Sequence, residues 1–192
     1  MRRNHEARRA ALAALAARPP VSGFSTPLDY LLAEHLRHRT LCWLIDRIAE
    51  SGESDEECID AVLLFLRGDF GPHVVDEEED LFPLLRRRAG HEDRIEEVLA
   101  GLSKEHAEDR LDATAIVEGL ERQRCERSLP QTLRMLLRRF AGNERRHLIV
   151  ENAIVLPLAR ARLTDDDLCN LGRRMAARRG VAFPENTHTH AV

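Results

Sequence analysis

Four long stretches of the sequence repeat apolar residues at steps of three and four, the pattern of helices that bury one face. Leu and Ala dominate the apolar residues, and aromatic residues make up only 4% of the chain. This composition favours leucine-rich helices over a β-sheet. Four helices of similar length with short connections predict antiparallel neighbours. We therefore expect an all-α fold built on an up-down-up-down four-helix bundle.

Start and stop signals delimit five helices. Four of the five starts are marked by a capping residue, a capping box or an early proline, and the stops include glycines. The predicted helices run from Thr26-Pro27 to about Glu50, from a capping box at Ser54 and Glu57 to about Ala89, from His91 to Arg127, from a capping box at Ser128 and Gln131 to about Arg162, and from Thr164 with Asp167 to near Gly180. Pro72 cannot donate to the carbonyl of Gly68, so a kink or bulge is expected inside the second helix.

These signals divide the chain into four parts. Residues 1–24 are expected to form a short helix or a flexible arm, and residues 25–162 the bundle. Residues 163–182 form an additional C-terminal helix, which packs either on the bundle or on a partner. Residues 183–192 are expected to be a disordered tail.

Composition excludes several classes of function. The net charge is −4, with 29 basic against 33 acidic residues, which predicts neither nucleic-acid nor membrane binding. No run of about 18 apolar residues occurs, so no transmembrane helix is expected. The four cysteines form no C-x-x-C pair, which excludes a zinc knuckle or a dithiol motif. Unpaired thiols and the lack of a signal peptide predict a cytoplasmic protein.

A histidine interrupts each apolar stripe near its middle, and in two helices a glutamate follows one turn later. These residues are His35, His73, Glu77, His106, His147 and Glu151. A buried carboxylate costs several kcal/mol unless a cation or hydrogen-bond donors meet it. Two carboxylates and four imidazoles at one level of a bundle therefore predict a bound metal.

The spacing of these residues indicates two metal ions. His73 with Glu77 and His147 with Glu151 are both H-x-x-x-E pairs, whose side chains face one point about a turn apart. Each imidazole can then bind one metal while each carboxylate reaches a second. The two halves of the sequence resemble each other around these residues, which predicts two hairpins related by a pseudo-twofold axis. Mixed imidazole and carboxylate ligands favour iron, manganese or zinc.

Other polar residues near the inward faces are expected to have supporting roles. His38 is expected not to be a ligand, whether it acts as an outer partner or proton donor or only packs at the helix boundary. Glu144 is a candidate outer-shell carboxylate. Glu78 and Glu79 are expected in solvent, with one of them available to orient a ligand.

The strings around these residues resemble the hemerythrin-like HHE cation-binding domains over about residues 25–162. They are AEHLRHR around His35, HVVDEEEDLFP from His73, KEH ending at His106, and HLIVENAIVLP from His147. The pattern is most similar to that of the bacterial iron-centre repair proteins. The resemblance implies a hemerythrin-like bundle that binds two iron ions (Fe2+/Fe3+), with the four histidines as terminal ligands. It also implies that Glu77 and Glu151 bridge the irons together with an oxo or hydroxo group.

Three functional hypotheses follow. The first is a di-iron protein that binds O2 or NO in sensing, storage or stress response. The second is a di-iron enzyme or iron donor in nitrosative or oxidative stress defence, which reduces NO, consumes peroxide or repairs iron centres and uses an electron-donor protein. The third is a bundle in which a redox-inert metal fixes the helices.

Overall fold

The computed structural model describes residues 2–52, 55–124, 126 and 128–184, and within them the chain is helical with no β-strand. The all-α prediction is confirmed. The helices are α1 (Arg2–Ala16), α2 (Pro27–Ser51), α3 (residues 56–88), α4 (Ile95–Arg122), α5 (residues 131–162) and α6 (Asp165–Arg178). Short 3-10 turns at Val21–Ser25 and His91–Asp93 precede α2 and α4. No described helix is long and apolar enough to cross a membrane.

Helices α2 to α5 form the antiparallel bundle. One hydrophobic cluster joins the C-terminal halves of α2 and α4 to the N-terminal halves of α3 and α5, with Ile45, Phe65, Ile116 and Phe140 among its buried side chains. A second cluster collects the opposite ends of the same helices. This alternation is that of an up-down-up-down bundle. The polar layer between the two clusters is the only break in the core of the bundle that the described residues show.

The helix boundaries confirm some of the predicted signals and correct others. Pro27 occupies the first turn of α2, and Thr164 forms a capping box with Asp167 at the start of α6. The cap of α3 is Asp55, whose carboxylate accepts from the backbone N–H of Cys58; Ser54 lies outside the described residues. The predicted box at Ser128 is wrong, because α5 begins only after Pro130 and without a side-chain cap.

Three π-helical turns interrupt the two longest bundle helices. They span Leu66–Phe70 and Asp76–Leu81 in α3 and Glu151–Val155 in α5. A proline follows each turn by two residues, at positions 72, 83 and 157. A proline has no N–H to donate to the preceding turn, and a π turn accommodates the missing bond without ending the helix. The bulge expected at Gly68–Pro72 is therefore present.

Both terminal helices pack on the bundle. Helix α1 buries Leu15, whose carbonyl accepts from Arg37 of α2. Helix α6 lies so close to the 3-10 turn that a Cβ at Gly172 would come within 2.0 Å of the Phe24 carbonyl oxygen, so only glycine fits there. The guanidinium of Arg173 lies over the ring of Phe183. Most of the segment expected to be a disordered tail, residues 185–192, lies outside the described residues.

Candidate metal centre

The six residues singled out in the sequence meet in the polar layer between the two hydrophobic clusters. Each of the four bundle helices contributes a histidine, and α3 and α5 each add a glutamate. All six residues are buried, none more than 5% exposed: His35, His73, Glu77, His106, His147 and Glu151. Both glutamates lie within π turns, a helix irregularity that is frequent at functional sites.

One half of the layer is built by α2 and α3. The Nε2 atom of His35 lies 3.4 Å from Glu77 Oε1 and 3.4 Å from Glu151 Oε2. The Nε2 atom of His73 lies 3.5 Å from the same Glu77 oxygen. One ligand atom from each of these four residues falls within 4.8 Å of the other three, a spacing that a single metal ion can hold.

The other half is built by α4 and α5. The Nε2 atom of His106 lies 3.3 Å from Glu77 Oε2, and that of His147 lies 2.8 Å from Glu151 Oε1. These four residues form a second group within 4.8 Å of one another. Glu77 and Glu151 belong to both groups and present different oxygens to the two halves. The geometry therefore offers two adjacent metal positions with two shared carboxylates.

The electrostatics of the layer fit a cation. Burial alone would lower the pKa of each imidazole, but Glu77, Glu151 and their neighbours raise it to about 9 for His73, about 10 for His106 and about 9 for His147. Burial alone would raise the pKa of Glu77, yet the surrounding histidines hold that pKa well below its ordinary value. Ionised carboxylates are thus stable here only beside positive charge, which protons or metal ions can supply.

Two carboxylate oxygens without a hydrogen bond also indicate a place for a cation. Glu77 Oε2 and Glu151 Oε2 are buried and accept no hydrogen bond from the described residues. An unpaired buried acceptor costs about 1–3 kcal/mol, and a charged acceptor costs more. Both atoms face the histidine Nε2 atoms across the layer, so a metal ion between them would complete their coordination. The mixed imidazole and carboxylate donor set fits iron, as it fits manganese or zinc.

Every candidate ligand histidine directs its Nδ1 atom toward an outer oxygen. The facing atoms are Asn152 Oδ1 for His35 at 2.7 Å, Glu34 Oε2 for His73 at 3.6 Å, Glu78 Oε1 for His106 at 2.5 Å and Glu105 Oε2 for His147 at 3.2 Å. The partners of His35, His106 and His147 lie within hydrogen-bond distance, fix the ring orientation and leave Nε2 free for a metal. Each outer residue is next in sequence to a candidate ligand but serves the histidine of a neighbouring helix.

His38 and Glu144 form a separate buried pair beside the centre. His38 Nδ1 lies 2.5 Å from Glu144 Oε1, and the His38 ring packs against that of His73 with centroids 4.2 Å apart. Neither residue belongs to a group of possible metal ligands among the described residues. Glu144 is thus a partner of His38 and not of any candidate ligand.

Arginines of α6 neutralise the acidic outer face of the ligand helix α3. Arg179, just beyond the end of α6, pairs with Asp76 at 2.7 Å and with Glu34 at 2.9 Å. Arg178 pairs with Asp76 and Asp80. Both aspartates are buried, so these contacts balance charges that the bundle alone leaves unpaired.

The comparison with family models decides the classification. The model described as the hemerythrin HHE cation-binding domain matches residues 26–166, which include all six candidate ligands. The chain belongs to this family. The HHE domain covers α2 to α5, whereas α1 and nearly all of α6 lie outside the match. A comparison with curated proteins found no match.

The sequence identified the centre of this HHE domain better than its surroundings. The six candidate ligands meet as expected, and His38 lies beside them, paired with Glu144. Glu78, expected in solvent or orienting a ligand, is 27% exposed and bonds to His106. The outer roles of Glu34, Glu105 and Asn152 were missed, although each adjoins a candidate ligand in the sequence.

Proposed function

We propose that the chain is a non-haem di-iron protein that binds O2 or NO in sensing, storage or stress response. The observation that carries the proposal is the pair of buried glutamates shared between two groups of four ligand atoms. His35, His73, His106 and His147 would be the terminal ligands, and Glu77 and Glu151 the bridges. Iron in such a site supplies a redox-active metal with open coordination positions for a small ligand.

The surroundings of the layer favour a diatomic ligand over a larger substrate. The two hydrophobic clusters close both ends of the bundle, and the Phe82 ring stacks on His106 with centroids 5.8 Å apart. All six ligand side chains are almost fully buried. A centre enclosed in this way excludes bulk water, which would protect a reduced metal from side reactions and leave room for no more than a small ligand.

The test is metal analysis combined with absorption spectroscopy of protein expressed with ample iron. We expect two irons per chain and a visible charge-transfer band in the aerobic protein that changes on reduction and on addition of NO. Glu151→Gln should lower the iron content, whereas the control Glu118→Gln, the same change on the exposed surface of α4, should retain it. A colourless protein that carries zinc would contradict the proposal.

The enzymatic alternative uses the same centre and differs in turnover. Consumption of many equivalents of NO or peroxide per chain in the presence of a reductant would assign the protein to stress defence as an enzyme. Transfer of iron to an iron-depleted acceptor protein would assign it to iron-centre repair. Stoichiometric binding without turnover across several electron donors supports the binding function.

A further inference from the structure

The outer partners of the candidate ligands divide the centre into two unlike halves. In the half built by α4 and α5, both histidines face carboxylates. His106 Nδ1 lies 2.5 Å from Glu78, which also accepts from Ser103, and His147 Nδ1 lies 3.2 Å from Glu105. A carboxylate that accepts from Nδ1–H raises the basicity of the imidazole and strengthens its bond to a metal.

In the half built by α2 and α3, no carboxylate of the described residues lies within hydrogen-bond distance of a candidate ligand's Nδ1 atom. His35 donates to the neutral amide oxygen of Asn152 at 2.7 Å. Asn152 follows Glu151 as Glu78 follows Glu77, so an amide stands where the pseudo-twofold relation would place a carboxylate. A neutral acceptor forms a weaker hydrogen bond than a charged one and adds no negative charge near the metal.

The outer contact of the second histidine in this half, His73, is also weak. Glu34 Oε2 lies 3.6 Å from His73 Nδ1, which has no hydrogen-bond partner among the described residues. The same carboxylate accepts from Arg37 at 3.1 Å and from Arg179 at 2.9 Å. Two guanidinium groups therefore pair with the carboxylate that faces His73 Nδ1 and draw its charge away from the imidazole. One of them comes from beyond α6, outside the HHE match.

From these contacts we infer that the two metal positions are inequivalent, and that the position of His106 and His147 binds its ion more tightly than that of His35 and His73. Changes in outer partners typically alter metal affinity about 10- to 100-fold, and we expect a difference of that size between the positions. Asn152 and Glu78 are the positioning residues that set it. The position of His106 and His147 would then fill first, and the ion at the position of His35 and His73 would exchange more readily.

This inference rests on the proposed two-metal centre, and a titration separates the two claims. Metal-free protein is titrated with Co2+ at fixed pH, and its visible absorption bands are followed. Wild-type protein should bind two ions in steps about 10- to 100-fold apart in dissociation constant. Failure to bind two ions would overturn the proposed function, whereas two ions of equal affinity would overturn only this inference.

Two variants should change the dissociation constants of the two metal-binding steps in opposite directions. Asn152→Asp places a carboxylate beside His35 and should tighten the weaker step about 10-fold, leaving the tighter step unchanged. Glu78→Gln removes the carboxylate beside His106 and should weaken the tighter step by a similar factor. Because Glu78 is partly exposed, its variant should fold even where a charge beside His35 is not tolerated.

Asn170→Asp is the matched control, because it adds the same charge on the exposed surface of α6. It should leave both steps at their wild-type positions. An equal shift in Asn170→Asp and Asn152→Asp would show that net charge, and not the contact with His35, sets the affinity. An unchanged titration in both Asn152→Asp and Glu78→Gln would also refute the inference.

Discussion

Asp109 of α4 gives a quantitative test of the electrostatics beside the centre. Its side chain is buried, and neither carboxylate oxygen accepts a hydrogen bond within the described part of the chain. Burial, with the like charge of Glu144, raises the pKa of Asp109 from 3.8 to about 7. The folded protein therefore binds a proton that the unfolded chain has already lost between these two pH values.

The direction in which stability changes with pH follows from this difference in proton binding. The stability that Asp109 contributes is fully present below pH 3.8 and is lost as the pH rises through about 7. Between pH 5 and pH 8 the loss is about 3 kcal/mol, since one pKa unit corresponds to about 1.4 kcal/mol. Asp109→Asn cannot ionise and should escape this loss. Any cost of its unpaired amide is the same at both pH values and cancels in the comparison.

The assay is urea denaturation of wild-type protein and Asp109→Asn at pH 5 and pH 8, with the metal load kept equal. Relative to wild type, the variant should gain about 3 kcal/mol in free energy of unfolding between pH 5 and pH 8, which corresponds to a midpoint shift of about 1–3 M urea. Its metal content should be unchanged, because Asp109 belongs to neither ligand group. An equal pH dependence in both proteins would show that Asp109 does not take up this proton, and loss of metal from the variant would show that Asp109 supports the centre.

Three further predictions concern the bundle and its centre. The pKa values of His73, His106 and His147 are raised to about 9, 10 and 9. The metal-free protein should therefore keep the stability that these protonated histidines contribute below pH 6.5 and lose it as the pH rises through 9–10. Thermal melts of metal-free and metal-loaded protein should diverge in that range. Phe140→Ala should lower the free energy of unfolding by about 3–5 kcal/mol in urea denaturation, because the ring is fully buried; a loss below about 1 kcal/mol would contradict the packing. Thr164→Ala removes the capping bond of α6 and should cost about 1 kcal/mol, whereas Thr114→Ala, whose hydroxyl bonds only within α4, should cost less.

The sequence predicts the bundle and the six candidate ligands because both depend on local periodicity. An apolar stripe determines which face of a helix is buried, and a histidine such as His106 within that stripe must then be buried with it. The same logic predicted the bulge before Pro72. Applied to Pro83 and Pro157, it would also have predicted the π turns that carry Glu77 and Glu151.

The features that sequence reasoning missed depend on contacts between distant segments. The start of α5 is shifted past Ser128 because the next residue, Leu129, donates its backbone N–H to the carbonyl of Gly52. Likewise, the contacts of Arg179 with Glu34 and Asp76 require that α6 folds back over α3, which no local pattern specifies. The charge of a side chain can be taken from the sequence, but its partner across the bundle cannot.

A crystal structure of the iron-loaded protein, with anomalous difference maps measured across the iron absorption edge, would show whether two irons lie between the shared glutamates. We expect two iron peaks, one among His35, His73, Glu77 and Glu151 and one among His106, His147 and the same two glutamates. A single peak, peaks elsewhere in the bundle, or no iron signal at these residues would contradict it.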